Sequence, residues 1–394
     1  MFKRNTLPAT IRYFISAITI VVLMTAIYGH KSAHAQLYST KAGQALLIDA
    51  DTNTILFAKN HDKKIPPASL AKMMTMEVVF SRLKNGGLTL EDTFFVSENA
   101  WRKGGTSSGG STMFAKLNSE IKLDDLIHGV IVQSGNDACI VIAEGMAGSE
   151  AAFAGLMNER AESLGLTNSN FRNSTGLPDP DQHVTLQDLG KLARHIIHTY
   201  PEFYPYYSKP EFTWNKIKQR NRNPLLKMDI GADGMKTGYT EASGYAIVGS
   251  AIRDGKRLIA VLSGMESKRQ RSEEARKILD WGFRAFEKIQ LYKKGEVIGE
   301  ADVYGGEHDV PVVGKDAVAI YLPIGNRNKI RARISYTGPL IPPIEEGQQV
   351  AILKVWIGDT LSQETPLYAA ESVNPGTLRQ RATDAVKELL LGQF

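Results

Sequence analysis

Two pairs of short apolar runs, far apart in the 394-residue chain, predict β-hairpins. The first pair, residues 44–48 and 55–58, flanks a polar turn. The second pair, residues 244–252 and 257–263, surrounds an Asp-Gly step, which is a strong hairpin signal. Their positions predict one antiparallel sheet that N-terminal strands begin and C-terminal strands complete.

Outside these strands, apolar residues recur at helical spacing as far as about residue 290. Residues 70–80 are apolar almost all round and predict a buried central helix. Residues 123–131 and 151–164 predict two more helices, and a further helix is predicted over residues 272–289. Residues 36–292 therefore favour an α/β (α+β) domain in which helices flank an antiparallel sheet.

The pattern changes from about residue 293. Short alternating strands at residues 318–322, 330–336 and 350–357 are separated by turns that contain Gly and Pro. Residues 293–375 are therefore predicted to form a small all-β sandwich domain. It carries no recognisable catalytic group, so it is expected to be a pedestal or a platform for a partner.

Residues 376–394 predict an amphipathic helix. Its apolar face contains Leu378, Ala382, Ala385, Leu389 and Leu390, and charged residues lie elsewhere around it. One interpretation is a helix that lies in the plane of a membrane and anchors the protein. The other is a terminal helix that packs on its own domain or remains in solvent.

Residues 1–35 have the three parts of a secretory signal peptide. Lys3, Arg4 and Arg12 make a basic start, residues 13–28 are mostly apolar, and residues 33–35 form a small-x-small cleavage site. The alternative is an uncleaved membrane anchor, for which the apolar run is short. The sequence therefore predicts an exported protein.

Charge and cysteine content exclude several classes of function. The net charge of the whole chain is +5, and four of its basic residues lie in the leader. The mature chain therefore has a net charge near +1, which argues against a nucleic-acid partner. The single cysteine, Cys139, excludes an internal disulfide and is expected to be a small core residue. No His-Glu-x-x-His motif is present, and neither a metal nor a cofactor is expected.

Three short motifs point to the chemistry. In chain order they are Ser69-Leu-Ala-Lys72, Ser134-Gly-Asn136 and Lys236-Thr237-Gly238. Together they supply a serine nucleophile, a lysine one helical turn away that can accept its proton, a polar relay, and a second cation beside a hydroxyl. This combination suits an acyl-transferring serine enzyme that needs neither histidine nor metal.

The sequence context selects Ser69 among three Ser-x-x-Lys matches. Ser69 follows two prolines and begins the apolar helix, where the positive end of the helix dipole favours a developing oxyanion. The matches that begin at Ser81 and Ser119 lie in polar surroundings and are expected to be ordinary surface residues.

The chain, from the leader to Phe394, resembles the D-alanyl-D-alanine carboxypeptidases. These are low-molecular-mass penicillin-binding proteins, serine peptidases of the β-lactamase/transpeptidase superfamily. The likeness rests on residues 67–75, 133–139, 233–238 and 281–284, and on the domain order. It implies removal of the terminal D-alanine from peptidoglycan stem pentapeptides through an acyl-enzyme on Ser69, and covalent inhibition by β-lactams.

The resemblance also implies roles for site residues. Lys72 would accept the proton of Ser69, and Ser134, held by Asn136, would pass it to the leaving amine. The backbone N–H groups of Ser69 and Tyr239 would bind the oxyanion. The terminal carboxylate would meet a group of substrate-binding residues: Lys236, Thr237, Gly238 and Arg271, with Arg269 as the alternative arginine.

The alternative functions are a β-lactamase-like hydrolase and a non-catalytic envelope scaffold. A β-lactamase of this superfamily needs a glutamate that activates water, but no Glu-x-x-Leu-Asn signature lies between Asn136 and Lys236. A non-catalytic envelope scaffold acting through the β-rich domain would have no need of Ser69 with Lys72. The expected location is periplasmic, with peripheral attachment to the outer face of the inner membrane through residues 377–394.

Overall fold

The computed structural model describes residues 38–324, 330–357 and 360–391. The predicted signal peptide, residues 1–35, lies outside the described residues. Among the described residues no single helix is long and apolar enough to cross a membrane; one pair bent by 83°, Asn136–Ala147 with Glu150–Ser163, passes that test by length and composition only.

A five-stranded antiparallel sheet forms the centre of the first domain, in the order β2-β1-β9-β8-β7. The strands are β1 (Gln44–Asp49), β2 (Ile55–Lys59), β7 (Ala232–Thr240), β8 (Gly244–Arg253) and β9 (Lys256–Met265). Both predicted hairpins are confirmed, and β1 pairs with β9, which joins the N-terminal and C-terminal strands. In this sheet β7 pairs only with β8, so its other edge is available to the cleft.

In the part of the chain that the structure describes, six α-helices surround the sheet. They are α1 (Lys72–Lys84), α2 (Leu123–His128), α3 (Asn136–Ala147), α4 (Glu150–Ser163), α5 (Leu186–Thr199) and α6 (Lys268–Ala285). The prediction of a buried central helix is confirmed, since every residue from 72 to 80 is buried. One apolar core packs α1, α3 and α5 on one face of the sheet, and a second packs α6 on the other face.

The predicted helix over residues 272–289 is wrong at both ends. It begins at Lys268 because the Ser267 hydroxyl caps it, accepting a hydrogen bond from the backbone N–H of Gln270 at 3.1 Å. It ends at Ala285, because Phe286 begins strand β10 (Phe286–Tyr292). That strand pairs with β13 (Val318–Pro323) of the β-rich domain.

Two hairpins that the apolar pattern did not indicate, and two short helical turns that overlap the helices predicted over residues 70–80 and 123–131, belong to the first domain as well. Two small hairpins are present, β3 (Thr93–Phe95) with β4 (Glu120–Lys122) and β5 (Glu211–Trp214) with β6 (Ile217–Arg220). One turn of 3₁₀ helix, Ala68–Ala71, precedes α1, and one turn of π-helix, Gly129–Gln133, follows α2.

The β-rich domain contains a five-stranded sheet in the order β11-β12-β16-β15-β14 and the β10–β13 pair. The strands not yet given are β11 (Val297–Ala301), β12 (Val310–Gly314), β14 (Ile330–Ser335), β15 (Gln349–Ile357) and β16 (Thr360–Ala369). The two sheets share one apolar core, which agrees with the predicted sandwich. Helix α7 (Leu378–Leu391) follows.

Candidate active site

Ser69 lies in the 3₁₀ turn that leads into α1. The turn is held against the segment that follows α4: a Cβ on Gly176 would come within 1.8 Å of the Ala68 carbonyl oxygen, so only glycine permits this contact. Gly176 also has a φ of +80°, which glycine adopts without strain. The close packing fixes where the Ser69 hydroxyl sits at the start of the helix.

The Lys72 amino group lies at the centre of the site. Its Nζ is 3.0 Å from Ser69 Oγ, 2.8 Å from Asn136 Oδ1 and 2.6 Å from the Thr175 carbonyl oxygen. Two of these three atoms only accept hydrogen bonds. A neutral Lys72 therefore satisfies both with its two N–H groups and keeps a lone pair for the hydroxyl of Ser69.

Burial lowers the pKa of Lys72 from its ordinary value. The adjacent Cys139 does not oppose this at neutral pH, because burial raises the pKa of its thiol to about 12 and keeps it uncharged. The carboxylates of Asp137 and Glu150 act in the opposite direction, and Arg222 adds to the lowering. The site thus favours the neutral amine that a base requires.

Ser134 and Asn136 reach the site from the beginning of α3. Ser134 is buried and has a φ of +63°, which turns the chain sharply before the helix. Asn136 is the first residue of α3, and its backbone N–H donates to the Ser111 carbonyl at 2.7 Å. Its side chain is directed at Lys72, so it makes no cap of its own helix.

Strand β7 supplies the opposite wall. Lys236 is buried, and its Nζ donates to Ser134 Oγ at 2.8 Å. Burial, with a further contribution from the charge of Arg222, lowers the pKa of Lys236 well below its ordinary value. A Cβ on Gly238 would lie 3.3 Å from the Ser69 backbone nitrogen, so the free edge of β7 runs directly beside Ser69.

Thr237 and Tyr239 alternate with these residues along β7. Thr237 is buried, whereas the Tyr239 side chain is 51 % exposed and packs on the ring of Tyr245, with 4.3 Å between ring centroids. The register places Tyr239 opposite Tyr245 and Gly238 opposite Ala246. The strand therefore presents its backbone at Gly238 close to Ser69.

The two candidate arginines differ sharply in environment. Arg271 is 8 % exposed, its Nε has no hydrogen-bond partner, and its guanidinium carbon lies 5.7 Å from the Tyr245 ring centroid. Burial lowers the pKa of Arg271 to about 10. The Arg269 side chain is 88 % exposed and pairs with Glu273 at 2.7 Å. Of the two, only Arg271 is a buried cation without a counter-ion.

Three residues contribute to the site in ways that the sequence did not indicate. The Thr175 carbonyl binds Lys72, but every residue has a carbonyl, so the sequence gives no signal for it. Asp137 is fully buried and accepts hydrogen bonds from the 112–115 segment, which fixes the start of α3. Arg222 lies at the exposed rim with its charge acting on Lys72, Lys236 and Arg271.

Within the described residues, no group of three or more His, Cys, Asp or Glu side chains is arranged to hold a metal ion.

The family of the chain follows from comparison of its sequence with known families. Residues 30–267 match the family described as D-alanyl-D-alanine carboxypeptidase, and residues 286–375 match the family described as penicillin-binding protein 5, C-terminal domain. The chain belongs to the D-alanyl-D-alanine carboxypeptidase family. It is a serine-type peptidase of the penicillin-binding-protein group, as the resemblance implied.

Relatives of this family match nearly the whole chain. D-alanyl-D-alanine carboxypeptidase DacC of Escherichia coli is 37 % identical over 375 residues, which cover 94 % of this chain and 93 % of that protein. D-alanyl-D-alanine carboxypeptidase DacA of Haemophilus influenzae is 39 % identical over 309 residues, which cover 77 % of this chain and 78 % of that protein.

Solved structures of the family show the same fold. Penicillin-binding protein 5 from Haemophilus influenzae aligns with a TM-score of 0.73 at 36 % identity, over 86 % of this chain and 98 % of that one. Penicillin-binding protein D2 from Listeria monocytogenes in its ampicillin-bound form aligns with a TM-score of 0.55 at 28 % identity, over 63 % and 99 %.

Proposed function

We propose that Ser69 is the nucleophile of this carboxypeptidase and that Lys72 is its base. Ser69 Oγ attacks the carbonyl between the two D-alanines, the C–N bond breaks, and an acyl-enzyme and free D-alanine result. Water then hydrolyses the ester. The observation that carries the proposal is the 3.0 Å contact between the buried Lys72 Nζ and Ser69 Oγ. The same nitrogen donates to two atoms that can only accept, Asn136 Oδ1 and the Thr175 carbonyl oxygen.

The remaining groups have distinct roles in this scheme. Ser134, which accepts a hydrogen bond from Lys236, delivers the proton to the leaving amine. The backbone N–H groups of Ser69 and Tyr239 stabilise the oxyanion, because β7 runs next to the nucleophile. Asn136 holds Lys72 through its amide oxygen.

The substrate carboxylate enters a cluster of cations. The charge of Arg271 acts on Lys236, and no carboxylate of the described residues pairs with Arg271. A cluster of like charges without counter-ions raises the energy of the free site and favours an anionic ligand. In our proposal Arg271 and Lys236, with the Thr237 hydroxyl, bind the terminal carboxylate.

Two serine variants test the assignment. Ser69→Ala should abolish D-alanine release from a peptide that ends in D-Ala-D-Ala and should leave the melting temperature close to that of the wild type. Ser81→Ala is the matched control, since Ser81 begins another Ser-x-x-Lys match on the same helix. D-alanine release at the wild-type rate by Ser69→Ala would overturn the assignment.

We also propose that the protein is exported to the periplasm and attaches to the membrane through α7. Leu378 and Val386 are 79 % and 55 % exposed, whereas Gln380 and Asp384 bond to the β-rich domain, at the Glu307 carbonyl and the Gly305 N–H. Over residues 378–386 the helix thus bonds to the β-rich domain through polar groups and leaves Leu378 and Val386 exposed, as an interfacial helix requires.

Vesicle sedimentation tests the attachment. The double variant Leu378→Glu/Val386→Glu should lose binding to phosphatidylglycerol vesicles while D-alanine release from a soluble peptide is unchanged. Ile341→Glu is the control, because Ile341 is an equally exposed apolar residue elsewhere in the β-rich domain. Equal binding by all three proteins would contradict attachment through α7.

A further inference from the structure

The β5–β6 hairpin and the residues around it form a basic surface segment near the cleft. Residues 209–222 contain five Lys or Arg residues and one acidic residue, Glu211. Along β6 and just beyond it, burial alternates with a period of two: Gln219 and Asn221 are buried. The exposed positions of the same stretch are Lys218, Arg220 and Arg222, which we call the cationic row.

The cationic row is a straight array. The backbone pairing continues past the end of β6, since the Asn221 N–H donates to the Pro210 carbonyl at 2.8 Å. Alternate residues of an extended strand lie about 7 Å apart, so the row spans about 13 Å. Lys218 pairs with Glu211 at 2.6 Å, whereas no described carboxylate pairs with Arg220 or Arg222.

The buried face of the same strand is attached to the active site. Gln219 Nε2 donates to the Met113 carbonyl at 3.0 Å, and the Met113 N–H donates to Asp137 Oδ1 at 2.9 Å. Asp137 directly follows Asn136, a residue of the site. The row therefore begins at solvent and ends with Arg222 at the rim of the cleft, close enough for its charge to act on Lys236.

We propose that the cationic row is a docking surface for the polymeric form of the substrate. It would bind carboxylates of stem peptides that lie next to the one being cleaved on an anionic peptidoglycan strand. This inference rests on the proposed function, because the row is positioned relative to that site. Arg222 also acts on the groups of the site, but Arg220 is not among the groups proposed to cleave a short peptide, so the effect of removing Arg220 should appear only with polymer.

The experiment compares two substrates and two charge variants of the mature protein. D-alanine release is measured from pentapeptide-rich peptidoglycan and from soluble diacetyl-Lys-D-Ala-D-Ala, at low and high salt. Arg220→Gln removes a charge from the row. Arg333→Gln removes the same charge from an exposed position of the β-rich domain and is the matched control.

Arg220→Gln should release D-alanine from peptidoglycan about two- to fivefold more slowly than the wild type at low salt, as expected for the loss of one exposed charge contact. The difference should shrink at high salt, Arg220→Lys should restore the rate, and the soluble peptide should be cleaved equally by all variants. This selectivity would not follow from a folding defect, which would slow both substrates.

Three results would overturn the inference. Equal rates on peptidoglycan for Arg220→Gln and Arg333→Gln would show that position in the row does not matter. An equal loss on both substrates would place Arg220 in the general structure of the site. Loss of binding to phosphatidylglycerol vesicles, with peptidoglycan turnover unchanged, would make the row a membrane contact. If wild-type protein cleaves neither substrate, the proposed function itself fails.

Discussion

Arg271→Ala should separate peptide recognition from acyl transfer. Arg271 is buried, stacked on Tyr245 and without a carboxylate partner, and the proposed substrate supplies that carboxylate. A hydrogen bond to a charged group is worth about 1.5–3 kcal/mol, which corresponds to about a ten- to hundredfold loss of kcat/KM. Since the pKa of Arg271 is about 10, the loss should be fully present at pH 7–8.

The same substitution should change stability little. It removes the stacking of the guanidinium on Tyr245, worth about 0.5–1 kcal/mol, but it also removes a cation buried without a partner, which is unfavourable in the free protein. We therefore expect the free energy of unfolding of Arg271→Ala to stay within about 1 kcal/mol of the wild type. A binding residue is recognised by this combination of a large kinetic loss and a small loss of stability.

The assay measures kcat/KM for D-alanine release, the rate of acylation by labelled penicillin, and urea unfolding. Arg269→Ala is the control: it loses only an exposed ion pair with Glu273 and should keep full peptidase activity. Penicillin should still acylate Arg271→Ala through its reactive ring. The reasoning is refuted if Arg271→Ala cleaves peptide within twofold of the wild type, or if Arg269→Ala alone loses activity.

Three other substitutions give further tests. Lys72→Arg should lose penicillin acylation as completely as Lys72→Ala, because a guanidinium cannot become a neutral base; normal acylation would make Lys72 a purely electrostatic residue. Gly238→Ala should slow acylation, because the added Cβ would make tight contacts with the turn that carries Ser69. An unchanged rate would show that β7 can shift away from this turn without loss of function. Burial raises the pKa of Glu77, but hydrogen bonds from His195 and its neighbours outweigh this and leave the pKa lowered. Ionised Glu77 therefore stabilises the fold above about pH 4, and this is lost at lower pH, so thermal melts of wild type and Glu77→Gln should converge on acidification; a constant difference would contradict this sign.

The strands and buried helices could be predicted because their signals are local. The hairpin around Asp254 and the apolar helix that begins near Lys72 are determined by turn chemistry and by the periodicity of their own residues. The helix α6 was misplaced because its cap at Ser267 was not recognised and because the amphipathic pattern continues into β10. Over a few residues the same apolar positions can fit either the end of a helix or the start of a strand. The pattern alone therefore does not locate the boundary between α6 and β10.

The site was predictable only where side chains carry the chemistry. The spacing of Ser69 and Lys72 already places them on one face, and the structure adds their contact. The Thr175 carbonyl and the approach of Gly238 to Ser69 are backbone features that depend on long-range packing, so no sequence pattern indicates them. Burial distinguishes Arg271 from Arg269, although both lie in one turn of α6.

The most direct test of the account is the site of covalent labelling by penicillin. The mature protein is incubated with benzylpenicillin, and its intact mass and proteolytic peptides are measured by mass spectrometry. We expect one penicilloyl group per chain, on the peptide that contains Ser69, and none on Ser69→Ala. An adduct on another serine, or a wild-type level of adduct on Ser69→Ala, would contradict the claim that Ser69 is the nucleophile.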